Sequence, residues 1–182
     1  MCKEQMKKKD VAINQNAFET KNLDGPNEEF LEKTAPFIGY IVHSFNTLEE
    51  LLNRSICELF ADDYDGIGLQ VIYKRNYADK VDLFKRFLAE DQAMINKKIP
   101  IFEKLISNLT KSGKLRNLVV HADWESAHDD GYTLTKLKIN TKGIQHEYVQ
   151  FTPESLEKIL SLINETCDMF DKFEEQREEF YR

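Results

Sequence analysis

The sequence predicts a mainly α-helical protein: an up-and-down bundle of about four main helices with a small inserted β-hairpin. Only seven glycines and four prolines occur in 182 residues, and 31% of the residues are charged, which favours long helices over a sheet broken by turns. Hydrophobic residues make up 41% of the chain, with twelve phenylalanines and seven tyrosines, enough for the core of one domain. The helical spacing of apolar residues is the third observation.

The chain begins with a stretch of lysine, asparagine and glutamine that lacks apolar periodicity and ends at Asp24-Gly25-Pro26. It predicts a flexible N-terminal arm (1–26) before a single helical domain (27–182). The domain opens with a predicted long helix, whose start Pro36 leaves undecided: Thr34 caps it, or a short turn at 28–33 bends into it. Its apolar stripe is Ile38, Ile41, Phe45, Leu48, Leu52, Ile56 and Leu59.

The next segment contains a short stretch of undecided type and a firmer helix. Asp62–Gly66 resembles the opening of a calcium loop, but it lacks ligands at every second position and the closing glutamate, so it predicts an ordinary loop. Ile67–Tyr73 is short, apolar and β-branched, which fits a strand or a helical turn. Tyr77–Leu88 has apolar residues on one face and predicts a helix.

A further helix is predicted over Ile95–Leu109, with Pro100 in its first turn or at a kink. Gly113 leaves two alternatives for the chain beyond it, because glycine weakens a helix interior without forbidding it. The helix continues through Gly113, or a new one begins near Lys114.

The C-terminal part predicts a hairpin and then a last helix. Residues 132–139 and 144–151 are rich in Thr, Ile, Tyr and Val and flank a four-residue turn that ends in glycine, which predicts a β-hairpin at about 132–151. Thr152 then caps a helix that has Pro153 at its first position. Its acidic end, 174–179, lies where the helix dipole favours cations, so we expect fraying there.

Composition excludes several classes of protein. The three cysteines have no close spacing, which argues against a disulfide framework or a zinc motif and favours a reducing cytoplasm. No apolar run is long enough to span a bilayer, and no glycine-rich phosphate loop occurs. We therefore expect a cytoplasmic protein without a membrane segment and without a cofactor.

The stretch Lys114–Trp124 contains an arginine and a histidine five residues apart. On a helix, Arg116 and His121 would lie about 140° apart with about 7.5 Å of rise, whereas Asn117 and His121 would share one face. An imidazole can take a proton from a ribose 2′-hydroxyl, and a guanidinium offers several donors to phosphoryl oxygens. The alternative is structural, with the histidine capping the end of a helix.

The R-N-x-x-x-H run resembles the signature of the HEPN superfamily of small all-α proteins. Two further stretches, Thr47–Asn53 and Asp79–Phe84, and the V-V-H-A-D-W ending also look similar, so the resemblance covers roughly residues 30 to 175, although only the short motif is specific. It implies a metal-independent endoribonuclease in which Arg116, Asn117 and His121 are catalytic and two chains form the cleft. The acidic segment Asp123–Asp130 departs from the family pattern.

Charge is distributed unevenly along the chain. The net charge of −7 excludes RNA binding over the whole surface, since such binding depends on lysine and arginine. Basic residues nevertheless flank the motif, and Lys111 and Lys114 are candidates for substrate binding; a solvated helix face is the alternative. The basic residues before and after the motif are Lys97, Lys98, Lys104, Lys111, Lys114, Lys136, Lys138 and Lys142.

A metal site is the other interpretation of the motif region. The residues that could ligate lack a helical pair of the H-E-x-x-H kind, so the segment predicts a solvated acidic loop and no metal. They are His121, Asp123, Glu125, His128, Asp129 and Asp130.

Two functions from different classes follow from the sequence. The first is a homodimeric, metal-independent endoribonuclease that acts on RNA, as a toxin or phage-defence component regulated by an antitoxin or another protein. The second is a non-catalytic helical module for dimerisation or partner binding, in which the motif is only structural. The net negative charge favours the second, and RNA cleavage would separate them.

Overall fold

A computed structural model describes residues 6–12, 28–60, 66–127, 130–141 and 143–182. The protein is mainly α-helical, as the sequence predicts, and has a small antiparallel sheet. The elements in this part of the chain are, in order, β1 (Lys8–Ala12), α1 (Glu28–Glu58), α2 (Gly66–Ile72), α3 (Tyr77–Ile95), α4 (Phe102–Val120), a short 3-10 helix (Trp124–Ser126), β2 (Tyr132–Asn140), β3 (Gly143–Gln150) and α5 (Pro153–Tyr181).

The chain folds into two compact units. Unit 1 comprises residues 1–40 and 117–158, and unit 2 comprises residues 41–116 and 159–182. Unit 1 contains the sheet, and unit 2 contains most of the helical residues that the structure describes.

Helix α1 runs without a break past Pro36, so neither predicted start is correct. Thr34 lies inside the helix, where its hydroxyl donates to the Phe30 carbonyl at 2.9 Å. A proline in a helix interior removes one backbone donor. Burial of the apolar stripe offsets that loss in a helix of 31 residues. Fully buried members of the stripe are Ile41, Leu48, Leu52 and Ile56.

The undecided segment Ile67–Tyr73 forms most of helix α2. Helix α3 begins after Asn76, whose side chain accepts from the Asp79 amide at 2.9 Å, and it extends beyond the predicted helix Tyr77–Leu88. The predicted loop at Asp62–Gly66 falls almost wholly outside the described residues.

The boundary between α3 and α4 differs from the prediction of a helix over Ile95–Leu109. Helix α3 includes Ile95 and ends because Asn96 adopts a left-handed conformation (φ 55°, ψ 36°), from which its N–H donates to the Gln92 carbonyl. Helix α4 begins at Phe102, so Pro100 precedes it and makes no kink. At Gly113 the helix is continuous, so the motif lies at the end of α4.

Unit 2 has an aromatic and aliphatic core shared by α1, α3, α4 and α5. The Phe84 ring lies 5.4 Å from that of Phe173 and 6.3 Å from that of Phe170. A half-buried ion pair between Lys80 and Glu49, at 2.7 Å, joins α3 to α1. Other buried members of this core are Leu52, Ile56, Leu88, Leu105, Leu109 and Ile163.

Unit 1 contains the three-stranded sheet, in the order β1-β3-β2. The predicted hairpin is confirmed, because β2 and β3 pair antiparallel up to Asn140 opposite Gly143. Lys8–Ala12 forms the third strand, where the sequence predicts a flexible arm. A strand with only Val11 and Ala12 apolar has too weak a pattern to be recognised before its pairing partner is known. The rest of the predicted arm, 1–5 and 13–26, is outside the described residues.

The last helix begins as predicted. The Ser155 amide donates to the Thr152 hydroxyl at 3.2 Å, and the Thr152 amide donates to the Ser155 hydroxyl at 2.9 Å. Its far end extends to Tyr181, and the expected fraying is not observed. Arg177, within the acidic segment itself, lies 3.1 Å from Glu58 of α1 and 2.9 Å from Glu174, and its positive charge offsets part of the acidic charge at this helix end.

None of the helices in the described ranges combines the length and apolar character needed to cross a membrane.

Candidate functional site

The motif occupies the last turn of α4 and the residue directly after it, and its members belong to different units. Arg116 is the last residue of a segment in unit 2, and Asn117 and His121 belong to unit 1. The His121 amide donates to the Asn117 carbonyl at 3.1 Å, so the helical pattern of backbone hydrogen bonds extends to the amide of the histidine. This geometry confirms that Asn117 and His121 are one helical turn apart on the same face.

Arg116 is half-buried and stacked on an aromatic ring. Its guanidinium carbon lies 5.1 Å from the centre of the Phe45 ring, a cation–π distance. The centre of the Phe45 ring lies 4.6 Å from that of the Tyr77 ring, and the Tyr77 hydroxyl donates to the Leu109 carbonyl at 3.1 Å. The sequence gives no direction for the arginine beyond its helical angle, so this aromatic support was missed.

The position of the Tyr77 ring requires a glycine in α4, the helix that carries most of the motif. A Cβ at Gly113 would lie 2.7 Å from the Tyr77 ring, closer than a real contact allows. Burial, and to a smaller extent the charge of Glu49, raises the pKa of Tyr77 well above its usual range. The hydroxyl therefore stays protonated and donates its hydrogen bond. Gly113, Tyr77, Phe45 and Arg116 form one stack within unit 2.

Asn117 and His121 are exposed to solvent. Within the described ranges, the His121 imidazole has no hydrogen-bond or ion-pair partner. An exposed imidazole is open to a substrate. The two candidate substrate-binding residues, Lys111 and Lys114, are exposed on α4 in unit 2.

The segment after His121 is anchored to the sheet. The Trp124 indole donates to the Val119 carbonyl at 3.0 Å, which satisfies one of the last carbonyls of α4. The Asp123 amide donates to the Leu134 carbonyl at 2.8 Å, and this bond joins the segment to β2. These contacts hold the end of the helix, and hence the backbone of His121, in a defined position.

The predicted acidic loop after the motif is therefore ordered where it begins. Asp123–Ser126 carry the bridge to β2 and the 3-10 helix, so this part is not a loop free in solvent. Burial, and then the charge of Asp123, raises the pKa of Tyr148 in β3. A tryptophan next to a turn is the signal that could have indicated this anchoring.

Among the described residues, no three His, Cys, Asp or Glu side chains lie close enough together to hold a metal ion. His128 and Asp129, two of the alternative metal ligands, lie outside those residues.

Comparisons with protein-family models, with curated proteins and with solved structures find no match to this chain.

Proposed function

We propose that the protein is a metal-independent endoribonuclease of the HEPN type, in which His121 and Arg116 act on the scissile phosphate of RNA. The observation that carries the proposal is the pair of exposed polar side chains, Asn117 and His121, one turn apart at an ordered helix end. The resemblance of the R-N-x-x-x-H run to the HEPN signature supports the same assignment.

The proposed reaction is attack by the ribose 2′-hydroxyl on the adjacent phosphorus. His121 takes the 2′-hydroxyl proton, the new P–O bond forms, and the bond to the 5′-oxygen of the next nucleotide breaks. The His121 imidazolium returns that proton to the leaving 5′-oxygen, and the products carry a 2′,3′-cyclic phosphate and a 5′-hydroxyl. Arg116 stabilises the charge on the phosphoryl oxygens, and Asn117 orients the phosphate or the imidazole. DNA lacks the nucleophile and is not cleaved.

The first test measures cleavage of RNA by single variants. We expect His121→Ala to lower the rate by about 10²- to 10⁴-fold and Arg116→Ala to have an effect of similar size. His43→Ala is the matched control, because His43 is also an exposed histidine, on α1, outside the motif. Wild-type cleavage by the Arg116 and His121 variants, or loss of activity with EDTA, would refute the assignment.

The proposed assembly is a homodimer in which the arginine of one chain serves the histidine of the other. It rests on the helical angle of about 140° between the two residues and on the resemblance. Mixing Arg116→Ala with His121→Ala protein tests it directly. A dimer that shares its sites should recover up to about one quarter of wild-type activity, because half of the dimers are mixed and each holds one intact site. If each chain uses its own pair, mixing restores nothing.

The finer architecture and context belong to the same proposal. We infer that α1, α3, α4 and α5 form an up-and-down bundle, supported by their mutual contacts in unit 2. The protein would act in the cytoplasm as a toxin or phage-defence component, regulated by an antitoxin or a similar protein. It would use no cofactor.

A second function has a specific observation in its favour. Arg116 is half-buried on Phe45, which suits a residue that stabilises unit 2 as well as one that contacts a substrate. The motif would then be structural in a non-catalytic dimerisation or partner-binding module. In that case Arg116→Ala lowers the midpoint of thermal unfolding, and purified wild-type protein leaves RNA intact.

A further inference from the structure

Three lysines converge on one buried carboxylate in the sheet of unit 1. Glu147 lies in the central strand β3, and its side chain is only 5% exposed. The Lys8 ammonium is 3.8 Å from a Glu147 carboxylate oxygen, and that of Lys136 is 3.4 Å away. Lys138 also pairs with Glu147, and it lies 2.9 Å from Asp10. We call Lys8, Lys136 and Lys138 the sheet lysine cluster.

The pairing register places this cluster on one face of the sheet. Glu147 is opposite Asp10 in β1 and Lys136 in β2, and residues directly opposite each other project to the same side. Lys138 is two residues beyond Lys136, hence on the same face and about 7 Å further along the strand. Lys9, adjacent to Lys8, projects to the other face, with its ammonium 5.5 Å from the Tyr132 ring centre.

The cluster has more positive than negative charge. Three ammonium groups surround two carboxylates, Glu147 and Asp10, so the net charge is +1 in a protein whose total is −7. Burial raises the pKa of Glu147, but the hydrogen bond from Lys138 and the charges of Lys8 and Lys136 outweigh it, so the net shift is downward. Glu147 is thus an ionised anchor that holds the three cations together.

Two of these cations are accessible. The side chains of Lys8 and Lys136 are 55% and 56% exposed, and the buried Glu147 oxygen that they approach at 3.8 Å and 3.4 Å accepts no hydrogen bond from any residue that the structure describes, so these two ion pairs are loose. Their ammonium groups are therefore able to exchange a shared carboxylate oxygen for the oxygen of a phosphate. Lys138 is less exposed, at 29%, and its ion pair with Glu147 does not depend on the other two lysines.

The cluster belongs to the same unit as the histidine of the motif. Strand β2, which carries Lys136 and Lys138, accepts the backbone hydrogen bond from Asp123, two residues after His121. RNA bound along β2 would therefore lie on a strand whose backbone is hydrogen-bonded to Asp123, two residues after His121.

We propose that the sheet lysine cluster binds the phosphate backbone of single-stranded RNA. The identity of the ligand rests on the proposed function, whereas the presence of an anion-binding surface rests on the cluster alone. Lysine offers compact positive charges without base recognition, so the contact is independent of sequence. The negative total charge makes such binding depend on a local group of cations.

The test is binding of a fluorescently labelled 2′-O-methyl RNA, which presents the same phosphates but has no nucleophile and so is not cleaved. Fluorescence anisotropy at several salt concentrations gives the affinity and its salt dependence. Each phosphate contact on a single strand contributes about 0.7 to the steepness with which log affinity falls against log salt concentration. The Lys8→Ala/Lys136→Ala double variant loses two such contacts, so the magnitude of its slope should be smaller by about 1.4. Glu147→Gln should raise the affinity, because it removes a competing carboxylate.

Lys9→Ala is the matched control, because it removes the same charge from the same strand on the opposite face. We expect it to leave the salt slope unchanged, and circular dichroism of each variant checks that the fold is retained. An unchanged slope in the double variant, or an equal loss in Lys9→Ala, overturns the proposal. Binding without cleavage of ordinary RNA by wild type refutes only the catalytic assignment, whereas cleavage that does not need the lysines refutes only the cluster.

Discussion

Replacing Gly113 by alanine is expected to destabilise the protein, although alanine is the better helix former. The substitution gains about 1 kcal/mol of helix propensity. The new Cβ would lie 2.7 Å and 2.8 Å from two carbons of the Tyr77 ring. That ring cannot easily shift, because the centre of the Phe45 ring is 4.6 Å from its own centre and the Tyr77 hydroxyl is hydrogen-bonded to the Leu109 carbonyl. Overpacking of this kind costs about 1–3 kcal/mol, so the net loss is about 0–2 kcal/mol.

Gly39 provides a matched control for the same substitution. It is an exposed glycine inside α1, and a Cβ there would meet nothing within 4 Å. Gly39→Ala should therefore stabilise the protein by about 0.5–1 kcal/mol. The two variants should differ by about 0.5–3 kcal/mol, which corresponds to about 1–12 °C in unfolding midpoint for a chain of this size.

Thermal and urea unfolding followed by circular dichroism measure both effects. A Gly113→Ala variant that is as stable as Gly39→Ala would refute the close packing of Tyr77 on the helix. The substitution is also to be made in a Tyr77→Ala background, where the clash is removed. There Gly113→Ala should become stabilising, and the change of sign assigns the penalty to this one pair.

Three further predictions concern unit 1. Gly131 has φ of +78°, and a Cβ there would lie 2.0 Å from the Phe151 carbonyl oxygen, so Gly131→Ala should cost about 2–5 kcal/mol in urea unfolding. Thr152→Ala removes the cap from the Ser155 amide and should cost about 1 kcal/mol in the same assay. The pKa of Glu147 is lowered in the folded state, so its carboxylate stabilises the fold at pH values above the ordinary pKa of 4.5. This stabilisation is lost as the pH falls through the lowered pKa. The stability difference between wild type and Glu147→Gln should therefore be larger at pH 7 than at pH 3; an equal difference at both would contradict the ionised anchor.

The helices were predictable where apolar periodicity is long, and their ends were predictable only where a side chain caps them. The stripe of α1 and the Thr152 cap are both visible in the sequence. The end of α3 was not, because Asn96 in a left-handed conformation looks like any polar residue in an amphipathic pattern. Strand β1 was missed since its pairing with β3 is a long-range contact that no local pattern encodes.

Only those features of the candidate site that depend on residues close together in the sequence could be predicted. The common face of Asn117 and His121 follows from helical geometry. The stack of Arg116 on Phe45 joins residues that are 71 positions apart, so its direction could not be derived from spacing. The convergence of Lys8, Lys136 and Lys138 on Glu147 likewise depends on the register of three strands.

The single tryptophan makes unit 1 optically distinguishable from the helical part of the chain. Trp124 is half-buried, its indole is bonded to the Val119 carbonyl, and its ring centre is 5.0 Å from that of Phe151. Its fluorescence emission should shift to longer wavelength when these contacts open, whereas far-ultraviolet circular dichroism mainly follows the helices of unit 2. Coincident transitions by the two probes would mean that the units unfold as one cooperative system. An earlier fluorescence transition would mean that the end of the motif helix is released while the helical core persists.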